Sequence, residues 1–206
     1  MDVIETKTKA IEQKGTMNRV WIFRFLVLVA AVLLLVSWFQ PWWAIDIEGF
    51  GENMVQIRPW GLEMEQRMGG FAIFLKGADM PAWFAPSMWV FLGLCMLALL
   101  VGAFVKGINL RLGKIKMSLS QFLVGGVGLA YLAAGIVMAV YASTRMKAMM
   151  DVPLVGTAII DLGDPLIANV YSRLTPGYYL IYVVAIMLLL TAIFRDKIIR
   201  ESNTGI

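Results

Sequence analysis

Residues Phe25–Ile45 read FLVLVAAVLLLVSWFQPWWAI, twenty-one positions without a charged side chain. A hydrocarbon core of about 30 Å is crossed by roughly 20 helical residues, so this run is long enough to span a bilayer. Three more runs share its character: Met80–Val105, Met117–Thr144 and Leu174–Phe194, of 26, 28 and 21 residues. The 18 basic and 14 acidic residues all lie outside the four runs. Over the 206 residues, 60% are hydrophobic and 16% charged. Soluble domains have about 45–50% and about 25%. The segregation predicts an all-α membrane protein built as a four-transmembrane-helix bundle.

The end of the quoted run carries a second signal. Pro41 cannot continue a helical ladder, so the first span stops before it. Beyond it, Trp43, Ile45 and Ile47 alternate with Ala44, Asp46 and Glu48, the period of a half-buried strand. Gly49-Phe50-Gly51 supplies a turn, Met54–Arg58 a return strand, and Phe71–Leu75 a third after Gly69-Gly70. These form a small antiparallel β-sheet in the first outer loop.

The remaining chain divides by the same logic. Residues 1–17 form a polar N-terminal arm, either mobile or a short interfacial helix. Spans are expected at 18–40, 86–106, 118–143 and 175–195. They are joined by loops 41–85, 107–117 and 144–174, with a tail at 196–206. The alternation about Gly113-Lys114 is compatible with a short hairpin or a plain tight connection, and Ser118 and Gln121 fit a capping box opening span three. In the second outer loop, Asp164-Pro165 reads as an N-cap and first helical residue, predicting a short helix over Pro165–Ser172.

Orientation follows from the bases. The arm, the loop between spans two and three, and the tail, together with the span ends that adjoin them, carry twelve lysines and arginines, against six in the two long loops. An excess of bases marks the cytoplasmic side, so both termini are expected inside a cell membrane, with the long loops outside. Arg24, Lys106, Arg111, Lys114, Lys116, Arg195 and Lys197 are the expected membrane anchors. Arg24 lies within two turns of Arg19 near the inner end of its span, where its side chain can snorkel to the headgroups.

The composition also excludes chemistry. Without histidine there is no His-ligated metal or haem and no His-paired nucleophile. Cys95, the only cysteine, allows no intrachain disulfide or thiolate cluster. No carboxylate lies in a span, and the loop acids match no ligand spacing, so no catalytic, metal or cofactor site is expected. The pI near 9.3 reflects bases flanking the spans, which argues for no nucleic-acid partner.

What remains is packing and contact. Gly126, Ala130 and Ala134 recur every fourth residue of span three, and Ala98 and Gly102 do so in span two. Small residues at this spacing let helices approach closely within a bundle or across a dimer face. Most tryptophans cluster at the outer ends of spans one and two, as an interfacial belt requires. Trp42, Trp43, Trp60, Gly61 and Leu62 are candidates for sheet core or partner contact, Trp60 lying too far into its loop for the belt.

Four spans, inside termini, a stranded first loop with an early tryptophan and a shorter second loop resemble the claudin and PMP22-type tetraspan family. Trp43 matches the family's early tryptophan, and Gly61-Leu62 the start of its Gly-Leu-Trp element. Glu63 stands where that family has tryptophan, and its two loop cysteines are absent here. The resemblance implies a left-handed four-helix bundle with lateral assembly or adhesion through the outer loops.

Function is therefore expected in association, through claudin-like homo-oligomers or as an accessory subunit beside other membrane subunits. The alternative is a lipid- or quinone-binding protein or small transporter. Its pocket would lie between the helices on the outer side, near Met88, Met146, Met149 and Met150. The bilayer is a partner on either reading, with bound lipid a further candidate.

Overall fold

The computed structural model describes residues 2–49, 51–64, 81–105, 108–112, 115–161 and 167–200. Along the chain lie α1 (Asp2–Phe39), β1 (Trp43–Ile47), β2 (Gly51–Arg58), β3 (Gly61–Met64) and α2 (Phe84–Phe104). There follow β4 (Asn109–Leu112), β5 (Ile115–Ser118), α3 (Leu119–Met150), β6 (Gly156–Asp161), β7 (Ile167–Leu174) and α4 (Pro176–Arg200). Each helix contains a stretch long and apolar enough to cross a membrane: Val20–Phe39, Phe84–Phe104, Leu119–Thr144 and Pro176–Arg195. Under half of each stretch is buried within the chain. The outward apolar side chains suit contact with lipid.

By internal contacts the chain forms two compact units, residues 1–32, 95–130 and 184–206 in one, and 33–94 and 131–183 in the other. In the first, α1 begins at Asp2, so the N-terminal arm continues the helix instead of standing apart. No proline interrupts Asp2–Phe39, and Glu, Lys, Gln and Ala favour the helical backbone. The β4–β5 pair is a hairpin with Leu112 opposite Ile115, and its last residue, Ser118, immediately precedes α3. There the capping box forms reciprocally: the Ser118 N–H donates to Gln121 Oε1 at 2.9 Å, and the Gln121 N–H to Ser118 Oγ at 3.2 Å.

In the second unit, five antiparallel strands form one sheet in the order β3-β2-β1-β7-β6. β1 occupies the alternating stretch, and Trp43, Ile45 and Ile47 are all buried. The third strand is β3, paired to β2 with Leu62 opposite Ile57. The strand expected at Phe71–Leu75 lies outside the described residues.

The second long loop corrects two expectations. The sheet is not confined to the first loop, and Ile167–Ser172 is strand, not helix. β7 pairs with β1 from Trp43↔Leu174 to Ile47↔Val170, and with β6 on its other side. The physical reason is visible in β7 itself. Ala168, Val170 and Ser172 are buried while Ile167, Asn169, Tyr171 and Arg173 are exposed, a period of two that no helix can satisfy. Satisfying the free edge of β1 outweighed the local helix-start signal.

Candidate functional site

Within the second unit, buried hydrogen bonds join the sheet to the helix ends. The indole N–H of Trp43, in β1, donates to the Leu154 carbonyl at 2.7 Å, and that of Trp42 donates to the Ser37 carbonyl in α1 at 2.9 Å. Ser37 Oγ donates to the Gly177 carbonyl at 2.7 Å, and Tyr131 OH donates to Ser37 Oγ at 3.0 Å. One serine thus links α1, α3 and α4. Thr175 Oγ1 donates to the Pro41 carbonyl, and the Thr175 N–H to the Trp42 carbonyl at 3.2 Å. In an apolar interior each such group needs a partner, so these bonds fix the sheet's attachment.

The aromatic groups sort differently from the expected belt. Trp38, Trp42 and Trp43 are buried, while Trp83 and Trp89 are exposed. Trp38 sits edge-on to Trp42 and Trp89, with ring centroids 6.1 and 6.2 Å apart. Trp60, from the β2–β3 turn, stacks on Trp89 at 5.3 Å and meets Phe39 at 5.9 Å. Its N–H reaches Glu63 Oε1 at 3.3 Å, and the Arg58 guanidinium lies 5.6 Å from its ring. Trp60 therefore packs against helix ends instead of filling the sheet. Gly61 opens β3 opposite Arg58, and Leu62 is half-buried.

At the β6–β7 end, the face of the sheet turned away from Val170 and Ser172 is open. Ile159 and Ile167 are 73% and 71% exposed, and Tyr171 is 44% exposed, all at one end of the order, on β6 and β7. The Ile159↔Asn169 and Thr157↔Tyr171 pairs put these side chains on the same face. Ile167 is seven residues up β7 from Leu174, after which α4 begins; at about 3.3 Å per residue it stands well away from the helix end along the strand. These aliphatic groups lie outside the four apolar stretches, and contiguous exposed apolar groups are uncommon on a wetted surface.

The predicted packing residues divide. Gly102 is buried against Val124, and its carbonyl accepts from Ser120 Oγ at 2.5 Å. Ala98, Ala130 and Ala134 are half-buried, and Gly126 is exposed with no atom within 4 Å of where a Cβ would stand. The close contacts with α4 come instead from Gly125 on Ala192, Gly128 on Ala185 and Leu188, and Gly135 on Ile181. Gln121 extends this row, donating to the Ala192 carbonyl at 3.3 Å. Steps of four, three and seven residues are those of a heptad seam, a signal the four-residue spacing concealed.

Among the anchors, Arg24 Nε donates to the Ala103 carbonyl at 3.2 Å between the Trp21 and Phe104 rings, complementing the C-terminus of α2. Arg195 Nη1 donates to Ser118 Oγ at 2.6 Å with its guanidinium 5.6 Å from the Phe23 ring, and Lys197 lies 5.6 Å from the Phe194 ring. Arg111 and Lys116 are register partners in the β4–β5 ladder, and Lys106 and Lys114 lie outside the described residues. Met88 is half-buried, and the side chains of Met146, Met149 and Met150 also lie outside what is described.

Three of the described acids pair with side chains of the sheet. Asp46 pairs with Arg173 at 3.1 Å, Glu63 with Arg58 at 2.6 Å, and Glu48 accepts from Asn169 at 2.5 Å. Among the described residues no three of the metal-ligating types cluster. No protein-family model matches the chain, and no curated protein matches its sequence.

Proposed function

We propose that this chain is a non-enzymatic multi-pass membrane protein that works by association, and that the β6–β7 end of its sheet is the contact surface. The observation that carries this reading is the exposure of Ile159, Ile167 and Tyr171 together on one face, on strands outside the spans. The bonds from Trp42, Trp43 and Thr175 supply what an interface needs beneath it, a platform whose position costs little to fix on binding. The occupant is a second copy, in claudin-like lateral assembly, or a larger membrane complex in which the chain is an accessory subunit. A sheet drawing on both long loops is compatible with the claudin-type resemblance.

Native mass spectrometry of the chain released from its membrane into mild detergent tests the reading. A homo-oligomer or a stoichiometric complex is expected. Ile159→Lys with Ile167→Lys should dissociate it while each helix stays folded. A strict monomer in both forms would contradict it.

A further inference from the structure

Where α1 ends and α4 begins, a cleft of about 340 Å³ is lined by Gln40, Pro41, Arg173, Leu174, Thr175 and Pro176. We propose that this cleft holds the phosphate-bearing headgroup of a membrane lipid, with the Arg173 guanidinium as its cation. The proposal does not rest on the association reading above.

Its level is set by the helices. The apolar stretch of α1 stops at Phe39 and that of α4 starts at Pro176, so the lining straddles the point where two spans leave hydrocarbon. This is where lipid phosphates lie. The volume is at the small end of ligand sites, which run from about 300 to 1,000 Å³, and fits a headgroup better than a whole amphiphile. Beneath the cleft, Val36 is one turn before Gln40 on α1, and Tyr179 and Val183 follow Pro176 at steps of three and four on α4. All three are exposed, giving acyl chains two apolar helix faces directly below a polar mouth.

The walls are built in advance. Gly177 lies so close to α1 that a Cβ there would stand 2.5 Å from the Pro41 oxygen and 2.8 Å from Gln40 Cβ. Thr175 Oγ1 bonds the Pro41 carbonyl, and Ser37 Oγ bonds that of Gly177. Arg173 is held by Asp46, which accepts from Nη2 at 3.4 Å and sits 3.1 Å from Nε, and Asp46 does not line the cleft. A guanidinium already oriented loses less freedom on meeting a phosphate. Its charge is also partly offset by Asp46 and it is half in solvent, so a free phosphate ion gains little there. A headgroup tethered by its tails arrives at high local concentration, and the site thereby selects lipid over the ion.

The test uses the full chain in detergent, delipidated and titrated with phosphatidylglycerol or with a phosphate-free diacylglycerol glucoside, and read by native mass spectrometry. Expected are one tightly retained phosphatidylglycerol and weaker retention of the glycolipid. About tenfold loss is expected in Arg173→Gln, with no displacement by millimolar inorganic phosphate. Equal retention of the two lipids, unchanged retention in Arg173→Gln, or displacement by inorganic phosphate would each overturn the proposal. Should Arg173→Gln fail to fold, the unaltered chain decides. A phosphatidylethanolamine with a photoreactive group on its headgroup should label the peptides containing Gln40–Pro41 and Arg173–Pro176. Labelling confined to other peptides would overturn it.

Discussion

The Ser37 hydroxyl donates to the Gly177 carbonyl over 2.7 Å, joining residues 140 positions apart at the last turn of α1 and the first turn of α4. Tyr131 donates to the same hydroxyl, so α3 is drawn into the same junction. All three groups are buried in apolar surroundings. Removing one partner leaves another without its bond. Ser37→Ala and Tyr131→Phe should each lower stability by about 0.6–1.5 kcal/mol. The double variant should cost less than the two added, because both act on one network. Thermal unfolding in a single detergent, compared across the four proteins, reads this directly.

Gly177 and Gly126 make opposite predictions for the same substitution. Gly177→Ala drives a methyl into the Pro41 carbonyl, a backbone atom that cannot step aside, and should cost upwards of about 2 kcal/mol. Gly126→Ala meets nothing within 4 Å and should be neutral or slightly stabilising, since alanine is the better helix former by about 1 kcal/mol. Gly135→Ala meets the Ile181 side chain, which can shift, and should fall between them. Unfolding temperatures in that order are the check. A Gly126→Ala variant as damaged as Gly177→Ala would mean that Gly126 meets a second chain.

Ser118 has two tasks. It caps α3 through the Gln121 N–H and accepts from Arg195 at the far end of α4. Ser118→Ala should therefore cost more than an isolated cap, about 1–2 kcal/mol. Ser118→Asp, which keeps the cap and strengthens the pairing with Arg195, should restore or exceed the original stability. Circular dichroism melts of the two variants distinguish these outcomes.

Much of the fold was legible in the sequence, and the parts that were not share a cause. The spans are local, and a charge-free run of twenty residues has one cheap solution in a bilayer. β1 was legible because Trp43, Ile45 and Ile47 write their period into five consecutive positions. β7 writes the same period, but Asp164-Pro165 beside it carries a helix-start signal. The choice was made by β1, whose Asp46 pairs across to Tyr171 in the ladder. Trp60 stands too far into its loop for a belt, a fact plain in the sequence, yet its seat on Trp89 depends on a helix far along the chain. The exposed face proposed as the contact surface is illegible for the same reason, since Ile159 and Ile167 become neighbours in exposure only once β6 and β7 pair. No local pattern marks that face as open.

The association claim is tested most directly by photocrosslinking in the native membrane. A benzophenone amino acid replaces Ile159 or Ile167, with Val183, exposed on the apolar stretch of α4, as the lipid-facing control. The expected result is one discrete protein adduct from both sheet positions, either a second copy of this chain or a single stoichiometric subunit, and none from Val183. Lipid adducts alone at Ile159 and Ile167, or the same adducts at Val183, would contradict a contact surface on β6 and β7.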